Sequence, residues 1–271
     1  MPLKLNVVVL AAGKGTRMAS SLPKVLHRLA GKPMLSHVLD TAHSLSCANL
    51  QVVTGFGSEL VEQMLGGQAS RFVLQKEQLG TAHAVAQTLP YLDDDALVLI
   101  LYGDVPLIRK STLEALLGKV DENSMGVLTC NVSDPKGLGR IIRNKEGQIT
   151  SIVEEKDATA EQKAISEINT GFMAIPVKRL KAWLPKVEAN NAQKEYYLTD
   201  LVEIALADGC HVVTSNCDNQ QEITGINNRV QLAQLERTYQ QNMHTELMNN
   251  GVSLADPARF DIRGNATIAA D

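Results

Sequence analysis

What this sequence has little of narrows its class first. In 271 residues no apolar run approaches the roughly 20 residues of a membrane-spanning helix, and the first apolar stretch is too short, and lacks the cleavage pattern, for a secretion signal. There are only four cysteines, Cys47, Cys130, Cys210 and Cys217, widely scattered and with no Cys-x-x-Cys pair. That argues against a disulfide framework or a zinc site and fits a reduced compartment, so a cytoplasmic protein is expected. Nor is there an excess of positive charge. Lys and Arg total 26 against 30 Asp and Glu, and a net charge of -4 argues against general affinity for nucleic acid or an anionic membrane. Any phosphate site must therefore be local.

What is present is a 44% apolar chain, long enough for one large α/β domain or two smaller ones. Val7 to Leu10, Leu50 to Thr54, Arg71 to Leu74, Ala96 to Tyr102 and Met125 to Val132 read as strands, with helical patterns between them. Leu35, Val38, Leu39, Ala42 and Leu45 form one such pattern, with Pro33 placed for a first turn. The alternation predicts a largely parallel, twisted sheet covered on both faces, a Rossmann-like fold whose ligands gather beyond the carboxyl ends of the strands. From Gly137 to Ile152 the pattern changes to a hairpin turning at Lys145 to Gly147. Residues 176–186 and 196–207 read as helices. Asn228 to Asn249 reads as a long polar helix, about 33 Å at ~1.5 Å per residue. Its apolar seam is narrow (Leu232, Leu235, Tyr239, Met243, Leu247), and Gly251 is placed to stop it. In the tail, Ile262 and Ile268 stand six residues apart, the interval that opens a hexapeptide β-helix.

Three motifs carry chemistry. The first, LAAGKGTRM from Leu10, lacks the order of a P-loop, because Lys14 lies between the glycines. It also lacks the third glycine of a dinucleotide fingerprint, since Met18 stands there. SLPKVL follows, ending at Leu26. Gly13 and Gly15 allow close approach of main chain to a nucleotide, and Arg17 and Lys24 supply mobile positive charge for phosphates. In the second motif, QKEQLGTAHA from Gln75, the Gln75 amide can match a pyrimidine edge, Gly80 leaves room for a base, and Thr81 is placed to cap a helix. His83 reads as structural. In the third, ALVLILYGDVPL, Asp104 follows a strand and a glycine, where a carboxylate can hold Mg²⁺ against phosphate oxygens.

The first motif, together with LPKVLH and LAGKPML, resembles the sugar-nucleotide pyrophosphorylases. Over nearly the whole chain the resemblance is closest to the bacterial bifunctional N-acetylglucosamine-1-phosphate uridyltransferase/glucosamine-1-phosphate acetyltransferases. LAAGKGTRM, LPKVLH, LQKEQLGTAHA, LYGDVPL, GLGRI, VEEKDAT, EINTG, EYYLTD, GINNR and DPARFDIRG occur in that family's order. The resemblance implies Mg²⁺ as cofactor, held by Asp104 and Asn227, and UTP and N-acetylglucosamine 1-phosphate as substrates. It implies nucleotide contacts from Leu10, Ala11, Ala12, Gly13 and Lys24, and uracil contacts from Gln75, Gly80 and Thr81. Amino-sugar contacts would come from Gly139, Glu154 and Asn169, with Tyr102 and Gly103 lining the site beside Asp104. Residues 1–227 would be the uridyltransferase domain, 228–250 a linker helix and 251–271 the start of a truncated β-helix. The full-length enzyme would be a homotrimer, with no nucleic-acid or membrane partner. Two departures stand out: Leu138 where the family usually has tyrosine, and Lys194 where glycine is usual, which puts in question the turn before Glu195.

Catalysis in such a site is positioning and charge neutralisation, with Arg17, Lys24 and Asp104 as the catalytic set. Two rivals are a nucleotidyltransferase with another nucleotide or acceptor, such as a molybdopterin guanylyltransferase, and a non-catalytic nucleotide sensor. An oxidoreductase is disfavoured by the missing third glycine.

Overall fold

In the computed structural model, which describes residues 4–264 and 266–270, the apolar runs become the strands of one nine-stranded sheet. The first half of the chain runs β1 (Lys4–Ala11), β2 (Arg28–Leu29), β3 (Lys32–Pro33), α1 (Met34–Ser44), β4 (Asn49–Thr54), α2 (Ser58–Leu65), β5 (Arg71–Leu74), α3 (Thr81–Ala86), β6 (Ala96–Tyr102), α4 (Lys110–Leu117) and β7 (Ser124–Asn131). The second half runs β8 (Arg140–Arg143), β9 (Ile149–Val153), α5 (Ala160–Lys163), β10 (Glu167–Pro176), α6 (Val177–Trp183), α7 (Leu201–Ala207), β11 (His211–Cys217) and α8 (Arg229–Asn249).

The sheet order is β11-β7-β10-β6-β1-β4-β5, with the β8–β9 hairpin attached through β10. All the neighbours of this path are parallel except β10, which runs antiparallel to both β6 and β7. The sheet is thus mostly parallel but mixed, in a Rossmann-like fold. Sequence patterning missed β10 and the edge strand β11.

Successive residues of β1 feed opposite faces, as strand geometry requires. Val7 and Val9 join a core with α1, α2 and α4. Val8 and Leu10 join a second core with α3, α6 and α7. A third, small cluster of Met18, Leu29, Met34, Ile226 and Leu235 lies under α8. Pro33 immediately precedes the first turn of α1 rather than sitting within it, because it belongs to the short β2–β3 pairing.

The long polar helix forms over 21 residues, but its buried face is Leu235, Gln240 and His244 rather than the full apolar seam. The tail after it folds back. Gln240 exchanges two hydrogen bonds with the main chain of Ile262, each 2.8 Å, and Arg237 pairs with both oxygens of Asp261. Among the described residues 251–270 no strand forms. The outer bounds of the expected domains, at residues 1 and 271, and Asn265 lie outside the described residues. No helix among the described residues is long and apolar enough to cross a membrane, and the four cysteines are free thiols.

Candidate active site

Strands β1, β4, β5 and β6 run in parallel, so their carboxyl ends share one rim, and the candidate residues follow those ends. A cavity of about 220 Å³ opens there. Its walls include Leu10, Ala11, Ala12, Gly13 and Lys24 at and beyond the end of β1, Gln75, Gly80 and Thr81 after β5, and Tyr102 and Asp104 at and beyond the end of β6.

Lys24 is the hub. Its Nζ donates to Asp104 Oδ2 at 2.5 Å and to Asn227 Oδ1 at 3.2 Å, joining residues 80 and 203 positions apart in sequence. The side chains of Lys24 and Asp104 are mostly withdrawn from solvent, which strengthens their attraction. Asn227 is held from both sides. The N–H of Ile226 donates to the Asp104 carbonyl at 3.0 Å, Asn227 N donates to Gln231 Oε1 at 2.7 Å, and Asn228 caps α8 through Gln231 N.

The glycines divide their work. Gly13 has open space beside its Cα and lines the cavity, as a nucleotide-facing glycine should. Gly15 does something else: with φ +60, a Cβ there would lie 2.5 Å from Lys24 Cβ. The space it leaves is taken by Lys24, not by a ligand. Arg17 is exposed on the turn that follows and does not line the cavity.

At the end of the cavity beyond β5, Gln75 is only 3% exposed. Its Nε2 donates to the Gly80 carbonyl at 3.2 Å and lies 3.0 Å from His83 Nδ1. Gly80 has φ +120, and a Cβ would fall 2.4 Å from the Tyr196 carbonyl oxygen. The close neighbour is therefore the 196–198 main chain, to which Tyr196 N–Leu79 O and Ala82 N–Tyr196 O bonds also tie it. Thr81 does not cap α3. Gly80 occupies the cap position, and the Thr81 hydroxyl accepts from Leu198 N at 2.9 Å.

At the other end Gly139, Glu154 and Asn169 assemble beside Tyr102. Asn169 N donates to the Gly139 carbonyl at 2.8 Å, and a Cβ on Gly139 would meet Glu154 Oε1 at 3.3 Å. Gly171, with φ +88, leaves room for the Tyr102 ring, 2.5 Å from where a Cβ would stand. Gly103 is pinned by donation to the Leu10 carbonyl at 3.0 Å, which aligns the turn before Asp104 with the end of β1.

Burial pushes the Glu154 carboxyl up, Asp157 and Asp200 push the same way, and a hydrogen bond from Thr199 at 3.3 Å opposes them. Burial, then Glu154 and Asp104, raises the Tyr102 phenol. Asp200 is pushed up to about 6, mainly by burial and then by Glu203 and Asp157.

Sequence reasoning missed Gln78, Glu195 and Thr199, of which the first two line the cavity and the third holds Glu154. No periodicity marks them; the 191–199 loop reaches the site only through the fold. That loop keeps its shape with Lys194 at φ +55, in the left-handed region that glycine adopts more cheaply. Asn191 stabilises it by accepting from Gln193 N and Glu195 N and donating to the Glu195 carbonyl. Leu138, the other departure, is exposed, and its carbonyl accepts from Arg140.

Two solved structures share this architecture. A nucleotidyl transferase from Methanothermobacter thermautotroptrophicus is 19% identical with a TM-score of 0.63, over 88% of this chain and 99% of the other. A proposed glucose-1-phosphate thymidylyltransferase from Bacillus anthracis, solved with sucrose, is 20% identical with a TM-score of 0.68, over 86% of this chain and 94% of the other. At these identities the likeness is one of fold. A family model for the MobA-like NTP transferase domain matches residues 7–241, a span that holds Lys24, Asp104 and Asn227. The chain therefore belongs to the MobA-like NTP transferase domain family, a family of nucleotidyltransferases.

Proposed function

We propose that this nucleotidyltransferase moves UMP from UTP to N-acetylglucosamine 1-phosphate, giving UDP-N-acetylglucosamine and pyrophosphate, for peptidoglycan and lipopolysaccharide precursors. The observation that carries the reading is the meeting of Lys24, Asp104 and Asn227, from three distant segments, around one cationic nitrogen beside the cavity. The choice of uridine nucleotide and amino-sugar phosphate draws on the ordered motifs, LAAGKGTRM to DPARFDIRG. In the same reading residues 1–227 form the transferase domain, 228–250 a linker and 251–271 the opening of a β-helix, in a cytoplasmic enzyme that is trimeric at full length.

Asp104 and Asn227 fit Mg²⁺. They offer two hard oxygens already turned toward a single positive centre, and magnesium takes one or two protein oxygens with phosphates and water completing its shell. Among the described residues there is no group of three or more His, Cys, Asp or Glu fit for a metal, as suits a site built from one carboxylate and one amide. When bound, the ion supplies neutralising charge at the nucleotide's phosphates.

The chain's own residues do the rest. The sugar phosphate, with a second pKa of about 6, is mostly dianionic at neutral pH and needs no general base. One of its oxygens attacks the α-phosphorus of UTP, and the bond to the departing pyrophosphate breaks. Lys24 lends charge to the α-phosphate, and Arg17, on its exposed turn, to the pyrophosphate. Gln75, Gly80 and Thr81 orient the base, while Gly139, Glu154 and Asn169 orient the sugar.

The test is pyrophosphate release across the four NTPs and dTTP with N-acetylglucosamine 1-phosphate, glucosamine 1-phosphate and glucose 1-phosphate. UTP with the first is expected to give the highest kcat/KM. A second reading, another nucleotide and acceptor, draws on the MobA-like family match. Preference for GTP or dTTP would select it, and tight UTP binding without release would make the chain a sensor.

A further inference from the structure

A carboxamide in a binding wall can show a ligand either an acceptor or a donor, and the Gln75 amide has had that choice made for it. Turning it by half a revolution would set Oε1 against the Gly80 carbonyl oxygen, two acceptors face to face, so Nε2 must point that way. The second hydrogen of the same nitrogen is directed at His83 Nδ1, 3.0 Å away. That ring nitrogen must then be bare, with the ring proton on Nε2. Gln87 Nε2 sits on the opposite side of the ring, 3.2 Å from Nε2, and donates to the His83 carbonyl at 3.0 Å. Gln87 is half-exposed and can rotate its amide with water as a partner; Gln75 is buried and cannot. The ring tautomer therefore follows Gln75, since a buried donor left unpaired is the costlier choice. Among the described residues nothing donates to Gln75 Oε1, and that atom is not sealed from solvent. It is the amide atom left for a ligand.

We propose that His83 is a positioning residue for base selection. By accepting from Gln75 Nε2, it holds the Gln75 oxygen toward the nucleotide. The cavity then takes bases whose facing edge carries a ring N–H, which uracil, thymine and guanine have. It disfavours cytosine and adenine, which present a lone pair there. His83 itself does not line the cavity; its ring borders an apolar groove across α3, with Leu79, Leu184 and Tyr196. It acts through Gln75 alone. The inference rests on the nucleotidyl-transfer reading of the site.

The experiment uses the full chain with Mg²⁺ and N-acetylglucosamine 1-phosphate, and compares pyrophosphate release from UTP, GTP, CTP and ATP. The variants are His83→Ala, which suits a helix, and His83→Asn, whose Oδ1 stands as many bonds from Cα as Nδ1 does. The UTP to CTP ratio of kcat/KM is taken within each preparation, so it is independent of how much protein is active. In His83→Ala that ratio falls about tenfold, the worth of one hydrogen bond, through KM for UTP, while kcat stays within about twofold. His83→Asn recovers most of the loss. An unchanged ratio in His83→Ala, no recovery in His83→Asn, or a wild-type chain indifferent between UTP and CTP overturns the proposal while leaving uridyl transfer standing. Preference for GTP instead defeats the uridyl reading, and the GTP to ATP ratio then judges His83. If no nucleotide is turned over, transfer itself fails, and calorimetric binding of UTP against CTP to the same variants decides the matter.

Discussion

The sheet and the C-terminal helix are held by different forces. Every core position of β1 from Val7 to Ala11 is apolar and buried, and register along β4 and β6 is set by those side chains. On α8 two of the three buried side chains are an amide and an imidazole, and the third is Leu235. Gln240 is fully buried, paired with the main chain of Ile262 and with Glu236. Glu236 in turn accepts from Ala30 N at 2.7 Å, while Gly264 N donates to the Ala30 carbonyl at 2.8 Å. The helix is fastened to the β2–β3 turn by these polar bonds, which add to the small apolar cluster around Leu235. The candidate site spans both regimes: Asp104 stands on the sheet, Asn227 at the helix start.

The largest expected effect lies on the sheet side. Lys24→Ala or Asp104→Ala is expected to lower kcat by about a thousandfold or more with the fold intact by circular dichroism. Near-normal turnover in either would remove them from the chemistry. On the helix side, Asn227→Ala removes the neutral oxygen proposed for Mg²⁺ and is expected to cost less, about 10- to 100-fold, with more Mg²⁺ needed for half-maximal rate. If its loss equals that of Asp104, the helix contributes to the site as strongly as the sheet does.

Gln240→Ala asks whether the polar fastening matters to stability or to catalysis. Losing its paired bonds should cost about 2 to 3 kcal/mol, a fall of roughly 4 to 12 °C in melting temperature, with turnover within about twofold. A large drop in turnover would mean that the tail tunes the site. The smallest effect is electrostatic. Asp200 is pushed up to about 6 from an ordinary 3.8, so between those values the folded protein holds its proton more tightly than the unfolded chain. Its contribution is therefore favourable at low pH and is lost as pH rises through about 6. Asp200→Asn should stabilise the protein at pH 7.5 by about 1 kcal/mol, discounted for partial exposure, and have no such effect at pH 4. Denaturant midpoints at the two pH values check this, and a gain of equal size at both would point to packing instead.

The same contrast explains what could be read in the sequence. The apolar parallel strands were legible because both faces of such a sheet are covered, and the place of Asp104 beside the cavity because pockets form beyond strand ends. The hairpin was legible from its turn at Lys145 to Gly147, which closes between Asn144 and Gln148. Strand β10 was not. Its ladder with β7 breaks between Asn169 and Met173, around Gly171, and strand direction is decided by tertiary pairing rather than by composition. Edge strand β11 is too polar and half-exposed to stand out. The helix seam gave only part of the packed face, with Leu232, Leu235 and Tyr239, because Gln240 and His244 are buried by hydrogen-bonding and ring contacts that hydropathy does not register. Asn227 came from resemblance alone, and nothing local marks Thr199. Thr81 had the composition of a cap, but its hydroxyl accepts instead from a segment more than a hundred residues away.

The reversed strand has one more effect. Because β10 runs against its neighbours, the chain leaves β7 at Asn131 and returns at Glu167 on the same edge of the molecule, opposite one another in register. Everything in between, β8, β9 and α5 with Gly139 and Glu154, is one insertion, whose hairpin pairs with β10 and sends Ile141, Ile149 and Ile152 into the core. Its own pairings, within the hairpin and to β10, involve none of β6, β1, β4 and β5. The strands that end beside Lys24 and Asp104 are thus paired independently of the segment that carries Gly139 and Glu154, so the two halves of the candidate site can vary separately.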